Sequence, residues 1–459
     1  MAYSQQGKLD EAVIDYSNVI SLPGAPEEHV IQAQFNRGAT YMRQEKYDEA
    51  IVDYTCAIEQ PNVPVSQVAM ARVSRGFAYT QQGRLDAGIA DHSWIIELPD
   101  SPITQMSIAR FSRGLAYNQQ GKMDEAIADY TAVIGSPGTP LKQLTMAHFQ
   151  RAITYAQQGK IDDAIADHSW AVELPVASAE HVANELINRG TLYMQSQRFD
   201  ESLDDYSRAI ALPISTEQLT LARFNSGVMY TQAGKLNEAI AEYTNIIELP
   251  DAPIEYVINS LINRGAAFVQ QDKLAEGLAD YSRAIELPGA QTEQIVLATS
   301  NRGVVYTQQG KLDMALIDYS NIIAMANAGI EHKANALIER GGVYVQKDNL
   351  NAAAEDFTTI IELPNVPMEQ LVNALINRGI VFVLQDKLNE GIVDFTRAID
   401  MPGALTAQIA LARINRGVAY AKIGNIAMAV LDFNHTIETP GVPAEAIAAG
   451  HIELKKLSS

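Results

Sequence analysis

Every 38 residues this chain returns to one short signature, Asn-Arg-Gly or a near variant, and that period decides what it can fold into. The small residue that ends the signature stands at Gly38, Gly76, Gly114, Ala152, Gly190, Gly227, Gly265, Gly303, Gly341, Gly379 and Gly417. Nine of the ten intervals are 38 residues; the step from Gly190 to Gly227 is 37, and the missing residue lies between Pro213 and Gly227, where a turn absorbs it. A unit this short has no core of its own. It buries its apolar face only against the units before and after it, so the period implies a stack of repeats.

Each unit reads as two helices. The first carries apolar residues at helical spacing, as in Leu371, Ala374, Leu375, Ile380 and Phe382. It ends at a QQGK-like turn, with Gly83, Gly121, Gly159, Gly234 and Gly310 as C-terminal glycines. The second opens on acidic residues such as Asp124 and Glu125, which suit a helix N-terminus. Its stripe runs Ala126, Ile127, Tyr130, Val133, Ile134 until a proline such as Pro137 stops it. Further prolines (Pro26, Pro64, Pro102, Pro140, Pro253, Pro367, Pro443) fall where the next helix starts, and are expected in its first turn. No strand alternation occurs.

The signature glycine is mid-helix, where it costs about 1 kcal/mol relative to alanine. A compensating contact is therefore expected. Twelve residues on stands another small residue (Ala50, Gly88, Ala126, Ala164, Ser202 and so on), so paired helices can approach closely. An aromatic residue follows the glycine by three (Tyr41, Tyr79, Tyr117) and a second by sixteen (Tyr54, Tyr130, Tyr206, Phe395).

Gly303, Tyr306, Ala315, Tyr319 and the pair Ile322–Ile323, with similar sets in every unit, resemble the tetratricopeptide repeat. The resemblance implies an all-α fold: a right-handed α-solenoid of about eleven helix-turn-helix units. It departs from the family in its period, four residues longer than the usual one. The extra turn is placed before the first helix, around Thr292–Val296, and arginine replaces leucine before the glycine. The organisation expected is a partial repeat over 1–24 (second helix only), eleven repeats over 25–440, and a capping helix over 441–459.

Composition narrows the function. Lys+Arg number 34 against Asp+Glu 55, a net charge of −21, which disfavours nucleic acid and anionic membranes as partners. No apolar run is long enough to insert in a membrane. The single cysteine, Cys56, forms no intrachain disulfide; with no visible leader at the N-terminus it fits a reducing, cytoplasmic setting. Cys56 itself reads as a buried, inert thiol.

The eight histidines are scattered, and no zinc, calcium or phosphate-binding motif occurs. His92 and His168, in the place of the second aromatic, read as core residues with the neighbouring Trp94 and Trp170. Every polar element recurs from unit to unit, so no unique catalytic constellation is visible, and neither an enzyme nor a cofactor is expected. The arginine before the glycine recurs from Arg37 to Arg416 in ten units, as does an aspartate fifteen residues after the glycine, from Asp53 to Asp432. One unit breaks both patterns together, with Ser226 and Glu242. The two are expected to pair between the helices of each unit.

In tetratricopeptide proteins ligands lie against the first helices. The resemblance assigns the lining to places −6, −3, +1, +4 and +5 from each glycine. At +5 stand Gln81, Gln119, Gln157, Gln195, Gln232, Gln270, Gln308 and Gln346, with Gln5 in the opening fragment; at −6 the residue divides into two kinds, Asn184, Asn259, Asn335 and Asn373 against Leu221, Leu297 and Leu411. A neutral, amide-rich groove for an extended protein or peptide partner is therefore expected, because amides donate to and accept from a peptide backbone. The acidic excess is expected on the outer, second-helix side. Two other readings stay open: a structural protein polymerising head to tail through its complementary terminal half-repeats, with Tyr3 in the opening one, and a fragment of a larger protein.

Overall fold

The computed structural model describes residues 8–458, except 62, 100 and 176. Met1, Tyr3 and Gln5 lie outside the described residues. Among those described there are 24 helices and no strand, arranged as an α-solenoid. A second helix, α1 (Leu9–Ile20), opens the series. Pairs follow: α2 (Glu27–Arg43) with α3 (Tyr47–Glu59), α4 (Val65–Gln81) with α5 (Leu85–Glu97), α6 (Ile103–Gln119) with α7 (Met123–Ile134), α8 (Leu141–Gln157) with α9 (Ile161–Val172), and α10 (Ala179–Gln195) with α11 (Phe199–Ile210). Then come α12 (Thr216–Gln232), α13 (Leu236–Ile247), α14 (Ile254–Gln270), α15 (Leu274–Glu286), α16 (Thr292–Gln308), α17 (Leu312–Ala324), α18 (Ile330–Gln346), α19 (Leu350–Glu362), α20 (Met368–Leu384), α21 (Leu388–Ile399), α22 (Thr406–Lys422), α23 (Ile426–Glu438) and the final α24 (Ala444–Ser458).

Two compact units divide the chain, residues 1–229 and 230–459, and the division falls in the repeat where Ser226 replaces arginine. From α1 to α11 and from α13 to α24 each helix packs on the next, and successive first helices touch from α2 to α8 and from α14 to α24. The first helices thus form the inner layer of each unit.

Each first helix is 17 residues long, as in α4, α10 and α16. The residues that lengthen the period extend this helix by a turn at its N-terminus. Pro64, Pro102, Pro140, Pro253 and Pro367 sit one place before the first turn, as N-cap residues in an extended conformation. Proline suits that place, because its carbonyl opens the ladder and no N–H is needed there. The turn between paired helices needs a left-handed residue, supplied by Gly83 (φ 74°) or Gly121 (φ 75°), but in other repeats by Glu45, Gln197, Asp272, Asp348 and Asp386.

The contact that offsets the mid-helix glycine is specific. A Cβ on Gly303 would stand 2.9 Å from the Tyr319 ring, and one on Gly379 2.6 Å from the Phe395 ring. The ring sixteen residues on therefore fills the space, with Tyr54, Tyr130, Tyr206, Tyr319 and Phe395 all fully buried. The small residue at +12 faces the glycine's carbonyl instead: Ser202 Oγ donates to Gly190 O at 2.8 Å. In the repeat with Ala152 the ring is the smaller His168.

Candidate binding groove

Ten arginines hold ten aspartates. In every repeat that carries the pair, arginine Nε and Nη2 donate to the two carboxylate oxygens at 2.6–2.9 Å, from Arg37–Asp53 through Arg416–Asp432. The aspartates are buried. The carboxylate hydrogen bond holds guanidinium groups such as Arg302 and Arg416 above their ordinary pKa. A third member is not apparent from the pair pattern. Each arginine Nη1 donates at 2.8–3.0 Å to a serine or threonine of the preceding repeat's second helix, as in Ser17, Thr55, Ser169, Ser282 and Thr396. The triad ties one repeat to the next and leaves these charges unavailable to a ligand.

The glutamines predicted to line the groove, Gln81, Gln119, Gln157, Gln195, Gln232, Gln270, Gln308 and Gln346, are each the last residue of a first helix. All eight are exposed, and their side-chain amides carry none of the described hydrogen bonds. Their neighbours one place on are used differently: Gln44 donates to Asp10, Gln120 to Asp86 and Gln158 to Asp124 at 2.8–2.9 Å, tying the turn to the preceding second helix. The asparagines already have partners. Asn184, Asn259 and Asn373 each accept from a glutamine of the next first helix at 2.7 Å (Gln218, Gln294 and Gln408), and Asn335 accepts from Gln370 at 3.3 Å. They form a ladder along the inner layer, with the asparagine Nδ2 groups left to donate.

In the N-terminal unit part of the inner face is apolar. A recess of 520 Å³ opens across α2, α4, α6 and α8, lined by Phe77, Ile108, Phe111, Leu115 and Met146 among others. These stand at the places −6, −3 and +1, as expected for the lining, but they are apolar. Phe77 is 42% and Met146 41% exposed, so the apolar surface is open to solvent. A second recess of 490 Å³ follows over α8 and α10, with Phe149, His181, Asn184, Glu185 and Asn188 in its wall; Met146 lines both.

Four other expectations resolve as follows. Cys56 is exposed, not buried, because its place falls on the outer face of α3. His92 is core: burial depresses its pKa to about 4 and neither ring nitrogen has a partner. His168 is also buried, but its Nδ1 lies 2.5 Å from Glu185 Oε2. Trp94 and Trp170 are only half-buried: Trp94 lies against the Arg72 guanidinium at 4.7 Å, and Trp170 stacks on His148 at 3.9 Å. His148 and Arg151 both bond Asp167; burial raises this carboxylate's pKa, and those two partners outweigh that and hold it below its ordinary value. Second-helix acids such as Asp124 and Asp162 are largely exposed. Among the described residues no cluster of three or more His, Cys, Asp or Glu side chains could hold a metal ion, and no helix is long and apolar enough to cross a membrane.

Comparison with known proteins gives one family. Tetratricopeptide repeat models match residues 31–60, 105–140 and 187–253. No curated protein matches. Among solved structures, similarity is found to a tetratricopeptide repeat protein from Parabacteroides merdae (18% identity, 59% of this chain and 98% of that one, TM-score 0.41). It is also found to the C-terminal part of a repeat-containing protein from Cytophaga hutchinsonii (12% identity, 57% and 98%, TM-score 0.47). The APC/C hetero-tetramer Cut9–Hcn1 matches over 99% of this chain and 94% of that one, at 11% identity and TM-score 0.37. Taking the matched segments with the helix pairs and the glycine–ring contacts that recur beyond them, this chain is a tetratricopeptide repeat protein with a 38-residue period.

Proposed function

We propose that this tetratricopeptide protein is a scaffold without catalytic activity that binds an extended segment of a partner protein along its first helices. The observation that carries the reading is the open apolar recess at Phe77, Ile108, Phe111, Leu115 and Met146. Water-exposed aromatic and methionine side chains are costly to leave uncovered, and a partner's apolar side chains would cover them. The free glutamines support the reading. Each offers one donor and one acceptor beside the groove, a match for a backbone with both. The triad arginines and aspartates are held by one another, so specificity falls to shape, amides and the few charges outside the triads, such as Lys142.

The experiment is a selection of random dodecapeptides on the full chain, followed by affinity measurement on variants. Phe77→Ala with Phe111→Ala should weaken the selected peptides at least tenfold. Alanine at Gln81, Gln119 and Gln157 should weaken them less, by about threefold. Peptides whose binding ignores both sets would contradict the reading.

A further inference from the structure

Five residues before each signature glycine the fold reserves a place for a methyl group. Nine repeats have alanine there, including Ala33, Ala109, Ala147, Ala222 and Ala374, and all nine are buried. Ser260 is the tenth, and the eleventh is Glu185, only 2% exposed. A buried carboxylate costs free energy unless it is hydrogen-bonded, and here half of that need is met. His168 Nδ1 takes Oε2 at 2.5 Å. The histidine does not require this arrangement, because His92 packs in the equivalent place of another repeat with no partner at all. The other oxygen, Oε1, is 3.8 Å from His181 Nε2, too far for a hydrogen bond, and that buried nitrogen has no partner. Glu185 and His181 both line the 490 Å³ recess, beside Asn184, Asn188, Met146 and Phe149.

We infer that this recess is a subsite for a basic side chain, arginine or lysine, of the bound segment. The inference rests on the reading that an extended segment lies along the first helices. An N–H group placed against Oε1 meets a carboxylate oxygen that no described hydrogen bond uses, and the Asn188 amide in the same wall offers a further carbonyl. A charged donor gains more than a neutral one from a carboxylate in a poorly hydrated recess. The aliphatic stem of the same side chain covers Met146 and Phe149, as long basic side chains do. Because Met146 also lines the apolar recess, the segment pairs a basic residue with an apolar one a few positions away. The net charge of −21 draws such a segment in.

The test uses the dodecapeptides selected on the full chain. Basic residues should be enriched near an apolar residue, and citrulline in place of arginine should lower affinity at least tenfold. Glu185→Ala, which restores the alanine of nine other repeats, should lower it by the same factor and abolish the preference for arginine over citrulline. Glu185→Gln, which keeps an acceptor for His168, should lose the preference too. Equal affinity for arginine and citrulline peptides on the unaltered chain, or a preference that survives both substitutions, would overturn the inference. Loss of binding with Phe77→Ala but not with Glu185→Ala removes the subsite and keeps the groove; insensitivity to Phe77→Ala and Phe111→Ala removes both.

Discussion

Arg189 Nη1 donates to Ser169 Oγ, 2.9 Å away in the preceding repeat, while its other donors hold Asp205 of its own. One side chain thereby couples three helices, and nine other arginines do the same. Removing one partner leaves a buried carboxylate uncompensated. Arg302→Met should destabilise by roughly 2–4 kcal/mol, and Arg302→Met with Asp318→Leu by less than the sum of the single changes. Urea denaturation of the two single variants and the double variant measures the coupling; strict additivity would mean that the pair contributes nothing.

The glycine–ring contact predicts a reversal of ordinary helix propensity. Gly303→Ala would gain about 1 kcal/mol in an isolated helix. Here the added carbon meets the Tyr319 ring at 2.9 Å, so a net loss of about 1–3 kcal/mol is expected. A stabilised variant in thermal denaturation would show that the ring gives way freely.

His92 sets a pH dependence. Its folded pKa, about 4, lies below its unfolded value near 6.5 because burial disfavours the imidazolium. The unfolded chain therefore binds the proton more readily, and stability falls as pH drops from about 6.5 towards 4, by about 3 kcal/mol in all. His92→Phe puts in place the ring that Gly341 and Gly379 already accept, and should flatten this part of the profile. A slope between pH 6.5 and 4.5 that the substitution leaves unchanged would assign the dependence elsewhere.

Gln197 occupies a left-handed turn position (φ 59°) that glycine fills in six other repeats. Gln197→Gly should stabilise by about 0.5–1 kcal/mol, because the strain relieved exceeds the entropy added to the unfolded chain. Calorimetry on that variant and on Asp272→Gly checks it.

Much of this molecule was legible in its sequence because most determinants occur ten or eleven times. The helix pairs, the proline stops and the Arg–Asp pairing follow from recurrence and helical spacing alone. The third member of the triad escaped because serine and threonine alternate at a place that resembles ordinary helix surface; its regular spacing, twenty residues before each arginine, was the available signal. The apolar groove escaped because Phe111 and Leu115 share the periodicity of core residues, and spacing does not say which apolar face another helix covers. Glu185 escaped for the opposite reason. It is a single departure in a column of alanines, and its meaning depends on His168, seventeen residues away on another helix.

Hydrogen–deuterium exchange of the full chain, with and without a selected dodecapeptide, tests the central claim most directly. The expected result is added protection on the first helices α4, α6, α8 and α10, with the second helices α5, α7 and α9 little changed. Protection confined to the outer faces of those second helices would contradict it.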